Sequence, residues 1–322
     1  MVMKFPIGIQ SFECLRSEGF VYVDKTALVK KLVSEGKCYF LSRPRRFGKS
    51  LLMSTIEAYF KGKKHLFEGL DMAGLETEWK EHPVLHLDLN AEKYDKIEDL
   101  NNILDTFLRE WEEEYGSSEG NNPSLSMRFR SVIRSAKQKT GRGAVVLVDE
   151  YDKPILQAIG NEPLQDEFRN ALKAFYGVLK SADADLRFTL LTGVTKFGKV
   201  SVFSDLNNLK DISTSPHFHD ICGISEAELH RFFDEQVENL AIYNKQTKDE
   251  AYEELKRRYD GYHFCEDTDG LYNPFSLLWT LSENKYGNYW FATGTPTYLV
   301  ELLKKNDFKL EEFSIWRLVR MN

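Results

Sequence analysis

Short apolar runs that end in polar residues recur along the N-terminal part of this chain. The clearest run is residues 144–148, which comprises five apolar residues, three of them valine, and leads into Asp149 and Glu150. Such a run is typical of a central parallel strand that is buried on both faces. Residues 38–41, 84–89 and 187–191 predict further strands of the same sheet.

Helical spacing of apolar residues appears between these runs. The segment that follows residue 50 and the acidic segment 95–118 both carry an apolar stripe at helical spacing. Residues 21–23 predict a short strand, after which Asp24 caps a helix that runs to residue 33. An approach of Asp24 to a ligand is the alternative interpretation.

From about residue 224 the pattern changes to helices. Ser225 followed by Glu228 is typical of a capping box, and Asn273 followed by Pro274 is typical of a helix start. We therefore predict an α/β fold in which a mainly parallel central sheet is flanked by helices and is followed by a smaller, mainly helical C-terminal region. The expected division is a domain over residues 1–223 and a helical lid over residues 224–322.

Residues 42–50 carry the clearest candidate chemistry, because Gly-Lys-Ser lies between a predicted strand and a predicted helix. A lysine beside a hydroxyl residue at a helix start can hold the β- and γ-phosphates and Mg²⁺, while loop N–H groups cradle the phosphates. A full P-loop has glycine where Arg43 stands, so a helix start on a basic turn is the alternative. The strand-loop-helix order favours a P-loop NTPase. The predicted nucleotide-binding residues are Arg43, Pro44, Arg45, Arg46, Phe47, Gly48, Lys49, Ser50 and Leu51.

The acidic pair at the end of the central strand predicts the rest of the site. Parallel sheets bind ligands at the carboxyl ends of their strands. Asp149 and Ser50 are the predicted metal ligands, because Mg²⁺ prefers hard oxygen donors. Glu150 is the predicted base that activates water. The alternative is that this acidic segment only starts a helix, with Asp152 as its N-cap.

Threonines follow the strand at residues 187–191. In NTPases whose catalytic Glu follows the metal-binding Asp, a neighbouring strand offers a polar side chain that senses the γ-phosphate. Thr192 and Thr195 are candidates, and hydrogen bonding within a turn is the alternative for both. We predict that Glu150, Lys49 and Thr192 are catalytic.

Motifs spread from about residue 5 to residue 300 make the chain resemble the predicted AAA-ATPase-like family of bacterial proteins. The motifs lie at residues 22–26, 43–50, 148–155, 192–197, 206–209, 259–262, 272–276 and 289–296. In that family Arg-Pro-Arg-Arg-Phe before Gly-Lys-Ser is the expected form, so Arg43 belongs to a variant P-loop. The chain departs from the family at His263, where arginine is expected.

The resemblance implies an ATPase domain of the additional-strand, catalytic-Glu type, with ATP and Mg²⁺ as cofactors. In the family this domain is usually followed by a restriction-endonuclease-like nuclease domain, which we do not expect within these 322 residues. DNA is therefore an expected partner only through such an associated domain. The expected activity is ATP hydrolysis, and the alternative is a nucleotide-dependent switch with little or no turnover.

Composition narrows the function classes. The formal net charge of −7 argues against a protein that coats nucleic acid, so the arginines around residue 45 fit a triphosphate better than DNA. No apolar run is long enough for a membrane span, and the four cysteines have neither disulfide nor metal spacing. We expect a cytoplasmic protein with no membrane partner.

Two other polar groups have open interpretations. Lys256, Arg257 and Arg258 are candidates to reach the γ-phosphate in place of an arginine finger, and a solvated basic helix face is the alternative. His86 and Asp88 would share one face of a strand, where we expect a structural role.

Overall fold

The computed structural model describes residues 3–116, 123–196, 202–203, 206 and 208–290. Within them, five strands form one parallel sheet in the order β2-β3-β4-β1-β5. The strands are β1 (Cys38–Ser42), β2 (Val84–Asp88), β3 (Ala144–Asp149), β4 (Leu186–Gly193) and β5 (Lys210–Asp211). The predicted α/β class is confirmed, and β4 lies between the two strands that were predicted to lead into the site.

Helices cover both faces of this sheet. In the part before β5 they are α1 (Phe12–Ser17), α2 (Thr26–Glu35), α3 (Lys49–Phe60), α4 (Asp71–Leu75), α5 (Ile97–Tyr115), α6 (Leu125–Thr140), α7 (Lys153–Gln157) and α8 (Glu162–Ser181). Short 3-10 helices occupy Lys64–Phe67, Leu89–Ala91 and Asp183–Asp185. The later helices are α9 (Glu226–Asn244), α10 (Lys248–Tyr259) and α11 (Pro274–Glu283).

The side chains of the central strand β3 pack against helices on both faces of the sheet. All six of its residues are buried, and successive side chains enter opposite layers. Val146 and Val148 pack in the layer formed with α5, α6 and α8. Val145 and Leu147 pack in the layer formed with α2 and α3. An uninterrupted apolar run is therefore what this position requires.

Helices α9 to α11 form a third apolar cluster together with the N-terminal segment. Phe5, for example, stacks on Phe233 with ring centroids 6.3 Å apart. The predicted capping box is present, since the Ser225 hydroxyl accepts from Glu228 N and the Glu228 carboxylate accepts from Ser225 N. Asn273 caps α11 through Ser276 N at 3.0 Å. The division at residue 223 stays a prediction.

One predicted element is wrong. Residues 21–23 are not a strand, because the backbone makes only an isolated bridge between Lys4 and Phe20, and Val21 N donates to Lys4 O at 2.9 Å. Val21 and Val23 pack against the cluster of α9 to α11, which explains their apolar character without a strand. The helix that follows begins at Thr26, whose backbone N–H donates to Asp24 at 2.8 Å.

Parts of several motifs lie outside the described residues, namely residues 197, 207 and 291–296, together with most of the loop at 116–123. Among the helices that the structure does describe, none is long and apolar enough to cross a membrane.

Candidate functional site

The loop between β1 and α3 carries the sequence predicted to bind phosphate. β1 ends at Ser42 and α3 begins at Lys49, so the predicted strand-loop-helix order is present. Gly48 immediately precedes the helix and has a φ of 94°, a value that residues with a side chain rarely adopt. Arg46 also has a positive φ, 65°, although it is not glycine. Such backbone strain concentrates at functional sites, where the surrounding structure holds it in place.

The ammonium group of Lys49 is enclosed by the loop that precedes it. Its Nζ donates to Arg43 O at 3.1 Å and to Pro44 O at 3.4 Å. It also forms an ion pair with Glu150 Oε1 at 2.9 Å, and only 3% of its side chain is exposed. The structure therefore brings together the predicted phosphate-binding lysine and the predicted base, which lie about a hundred positions apart in the sequence.

Asp149 and Glu150 lie at the carboxyl end of β3, as predicted. The Asp149 carboxylate accepts hydrogen bonds from the Thr192 hydroxyl and, at 3.1 Å, from Glu150 N. Thr192 is fully buried at the neighbouring end of β4. In this arrangement its hydroxyl positions the Asp149 carboxylate, and its contact with the γ-phosphate stays a prediction.

Glu150 has the electrostatic setting of a proton acceptor. Burial raises the pKa of its carboxyl above the usual range, while the adjacent Lys49 ammonium opposes that rise. Its φ of 54° is another left-handed value in a non-glycine residue of this site. A carboxylate with a raised pKa takes a proton from water more readily than an ordinary surface carboxylate does.

Asp152 and Thr195 join the ends of β3 and β4. The Asp152 carboxylate accepts from Thr195 N at 2.8 Å, from the Thr195 hydroxyl at 2.7 Å and from Val194 N at 3.2 Å. Helix α7 does start at Lys153, but the Asp152 side chain does not cap it. A Cβ on Gly193 would overlap the Tyr151 ring and the Asp152 carboxylate, so this close approach requires glycine. The Thr195 hydroxyl therefore connects the ends of two strands instead of bonding within a turn, and its contact with a phosphate stays a prediction.

The side chain of Arg43 is used to hold the loop. Its guanidinium donates to Ser213 O at 2.8 Å, to His219 O at 3.0 Å and to Phe218 O at 3.2 Å, and it stacks 3.9 Å from the centre of the Phe264 ring. It is 1% exposed, and burial lowers its pKa to about 10. The arginine that replaces a P-loop glycine therefore points away from the Lys49 ammonium and ties the loop to the segment after β5.

Replacing Arg43 by alanine is expected to destabilise the protein. Several buried carbonyl groups would lose their donor, and an unsatisfied buried polar group costs about 1–3 kcal/mol. We expect the free energy of unfolding to fall by about 3 kcal/mol or more in a denaturant titration. The matched control is Arg45→Ala, because Arg45 is the exposed arginine of the same loop. Equal unfolding midpoints for the two variants would show that the Arg43 contacts contribute nothing.

Aromatic side chains from the C-terminal region also fix the loop. Phe47 is fully buried and packs edge-to-face against Tyr262 and Phe264, with ring centroids 4.9 and 5.3 Å away. The Arg46 guanidinium lies 4.0 Å from the ring centroid of Phe275, near the start of α11. The predicted helical region thus contacts the loop directly.

A cavity of about 540 Å³ opens beside Lys49, and we call it the loop cavity. Of the predicted nucleotide-binding residues, it is lined by Arg45, Arg46, Gly48, Lys49, Ser50 and Leu51. Arg43, Pro44 and Phe47 do not line it. Glu150 faces it from the end of β3, and residues 6–10 and the start of α11 enclose it from the opposite side.

Several residues considered from the sequence lie elsewhere. Lys256 pairs with Glu226 at 3.3 Å, and Arg257 and Arg258 both pair with Glu254. These cations do not line the loop cavity, in agreement with a solvated basic face. His86 Nδ1 contacts Glu57 at 2.7 Å, and the Asp88 carboxylate accepts from Asn90 N, so both have the structural contacts expected of them.

Asn90, Lys153 and Phe275 also line the cavity, and none of them is predicted from the sequence. Lys153 and Phe275 lie within the family motifs at residues 148–155 and 272–276. Asn90 follows β2. Its position near the end of β3 depends on the pairing of Asp88 with Asp149, which the sequence alone does not show.

The chain is similar in sequence to known proteins. A family model described as "Predicted AAA-ATPase" matches residues 6–203, which confirms the family resemblance. A relative described as "Uncharacterized protein in vnfD 5'region", from Azotobacter chroococcum mcd 1, is 38% identical over 301 residues, which are 93% of this chain and 56% of the relative. The chain thus spans about half the length of the curated relative it matches. No solved structure matches the chain significantly.

Proposed function

Because the chain belongs to the predicted AAA-ATPase family, we propose that it binds ATP in the loop cavity and hydrolyses it to ADP and phosphate. One observation carries the proposal. Lys49 Nζ and Glu150 Oε1 lie 2.9 Å apart beside this cavity, at the carboxyl ends of two parallel strands. The proposed phosphate-binding cation and the proposed proton acceptor therefore border the same cavity. Hydrolysis of a phosphoanhydride requires both groups close to the reacting phosphate.

The phosphates would be held by Lys49 and by the loop backbone. At the start of α3 the backbone N–H groups have no partner within the helix, so they suit an anion. Arg45 and Arg46 add positive charge at the cavity wall. Arg43 and Phe47 contribute by fixing the loop against the rest of the protein.

The oxygen donors at the site fit Mg²⁺. Ser50 lines the cavity, and Asp149 offers a carboxylate that Thr192 orients. Among the described residues no group of three or more acidic, His or Cys side chains is arranged to hold a metal ion. Mg²⁺ does not need such a group, because it is usually held by one or two protein oxygens together with substrate phosphates. When bound, Mg²⁺ would neutralise charge that develops on the phosphates.

The proposed chemical step uses Glu150 as the base. Glu150 takes a proton from a water molecule while the water oxygen forms a bond to the γ-phosphorus. The bond between that phosphorus and the bridging oxygen breaks, and ADP leaves with its electron pair. Lys49 stabilises the negative charge on the phosphate oxygens throughout this step.

A phosphate-release assay tests the proposal. With ATP and Mg²⁺ we expect continuous release of phosphate, and an excess of a chelator should reduce the rate at least about 100-fold, because the charge on the phosphates is then uncompensated. Restoring Mg²⁺ should restore the rate. Turnover that persists without divalent cations would contradict the metal role of Ser50 and Asp149.

A nucleotide-dependent switch is the second candidate. The Lys49 ammonium donates to two loop carbonyls and pairs with Glu150, so a bound phosphate would have to replace some of these contacts. Exchange of contacts in a loop that is packed on Phe264 and Phe275 could change the C-terminal region without turnover. Tight binding of ATP with no phosphate release would favour this function.

We also propose that residues 1–223 are the ATPase domain and residues 224–322 a helical lid, because the sequence pattern changes to helices from about residue 224. The family resemblance is the ground for a further proposal, that DNA is reached through an associated nuclease domain. Phosphate release measured with and without DNA would test that partner. We also propose a cytoplasmic location, because none of the four cysteines, Cys14, Cys38, Cys222 and Cys265, forms a disulfide bond.

A further inference from the structure

We propose that Lys153 is a second catalytic cation of the loop cavity and contacts the γ-phosphate of bound ATP during hydrolysis. This inference rests on the proposed ATPase function. Lys153 lines the loop cavity together with Lys49 and Glu150. Phosphoryl transfer gains rate mainly from positive charge around the transferred group, and Lys49 alone supplies only one such charge.

The turn after β3 brings Lys153 to the cavity. Lys153 N donates to Glu150 O at 3.0 Å, which closes a single turn between the proposed base and this lysine. Burial lowers the pKa of the Lys153 ammonium, and the nearby Asp88 and Glu150 carboxylates oppose that shift. Glu150 is therefore in direct contact with Lys49 and stands three positions before Lys153 in the chain.

Asn90 holds the Lys153 side chain in place. The Lys153 ammonium donates to Asn90 O at 2.6 Å and to Asn90 Oδ1 at 2.9 Å. Asn90 is itself placed by β2, because Asp88 pairs with Asp149 across the sheet and its carboxylate accepts from Asn90 N at 2.8 Å. Two of the three ammonium protons are thus used for positioning, which leaves one for a ligand.

The other cations near the cavity are less suited to this role. The Arg46 guanidinium stacks on the Phe275 ring, and Arg45 is exposed to solvent. Lys153 is partly buried and its ammonium is held by Asn90, so this charge is better fixed than that of an unpaired surface lysine. A preorganised charge stabilises a developing charge more strongly than a mobile one does.

The variant Lys153→Met tests the proposal, because it removes the charge and keeps most of the side-chain length. We expect kcat for phosphate release to fall about 100-fold to 1,000-fold, the usual effect of losing one group that stabilises the transition state. ADP affinity, measured by calorimetry, should stay within about twofold of wild type, since ADP has no γ-phosphate. Lys153→Arg should recover part of the lost rate, and Asn90→Ala should lower kcat less than Lys153→Met does.

The matched control is Lys93→Met, because Lys93 is exposed, pairs with Asp95 and lies outside the cavity. A kcat for Lys153→Met within threefold of this control would overturn the proposal, and so would an equal loss of ATP and ADP affinity, which indicates a structural role. If wild type releases no phosphate, the proposed ATPase function fails instead. In that case the affinities of Lys153→Met for ATP and ADP test the contact. A loss of affinity for ATP but not for ADP would support the γ-phosphate contact, and an unchanged affinity for ATP would refute it.

Discussion

Replacing Lys49 by alanine is expected to abolish ATP binding. Lys49 is the most enclosed cation at the loop cavity, and its ammonium already balances the partly buried Glu150 carboxylate. Without it the phosphates would face that carboxylate with no intervening positive charge. Removing one partner of a buried charge pair costs about 2–5 kcal/mol, so the Kd for ATP should rise at least about 100-fold in a calorimetric titration.

Lys61→Ala is the matched control for this variant. Lys61 lies at the opposite end of α3, where it pairs with Glu57 at 2.6 Å, and it does not line the cavity. This control should bind ATP as wild type does. Wild-type affinity in Lys49→Ala, with the fold verified by circular dichroism, would contradict the assignment of the loop as the phosphate site.

Replacing Glu150 by glutamine is expected to trap bound ATP. The amide keeps the size of the side chain but cannot take a proton from water, and loss of a general base lowers the rate about 100-fold to 10,000-fold. The ion pair with Lys49 is also lost, which leaves the ammonium available for phosphate. ATP affinity should therefore be equal to or tighter than that of wild type, while phosphate release stops.

A single-turnover experiment checks this second expectation. ATP bound to Glu150→Gln should be recovered unhydrolysed, whereas wild type and the control Glu98→Gln should yield ADP. Glu98 suits the comparison because it is an exposed glutamate in the first turn of α5. Unchanged turnover in Glu150→Gln would remove this residue from the mechanism.

The sequence predicted the elements whose signals are local. The run at residues 144–148 is apolar throughout because β3 is buried on both faces, and the Gly-Lys-Ser ending marks the start of α3 because the turn and the helix depend on neighbouring residues. The convergence of Lys49 and Glu150 also followed from a general rule, since the carboxyl ends of parallel strands share one edge of a sheet.

Other features depend on contacts between distant segments. Arg43 was predicted to be part of a phosphate site. Its guanidinium instead donates to backbone carbonyls that lie about 170 positions further along the chain. Val21 and Val23 are apolar because they pack on the C-terminal helices, and a local pattern cannot distinguish this packing from a strand. The candidate role of Lys153 depends on its contact with Asn90. That contact follows from the register of β2 and β3, which the sequence does not show.

The central claim is that the loop cavity binds ATP with its terminal phosphates on Lys49. A crystal structure of Glu150→Gln with ATP and Mg²⁺ tests this most directly. We expect the triphosphate in the loop cavity, with the Lys49 ammonium within hydrogen-bond distance of a β- or γ-phosphate oxygen and no longer bonded to the Arg43 and Pro44 carbonyls. ATP bound elsewhere, with Lys49 still held by those carbonyls, would contradict the account.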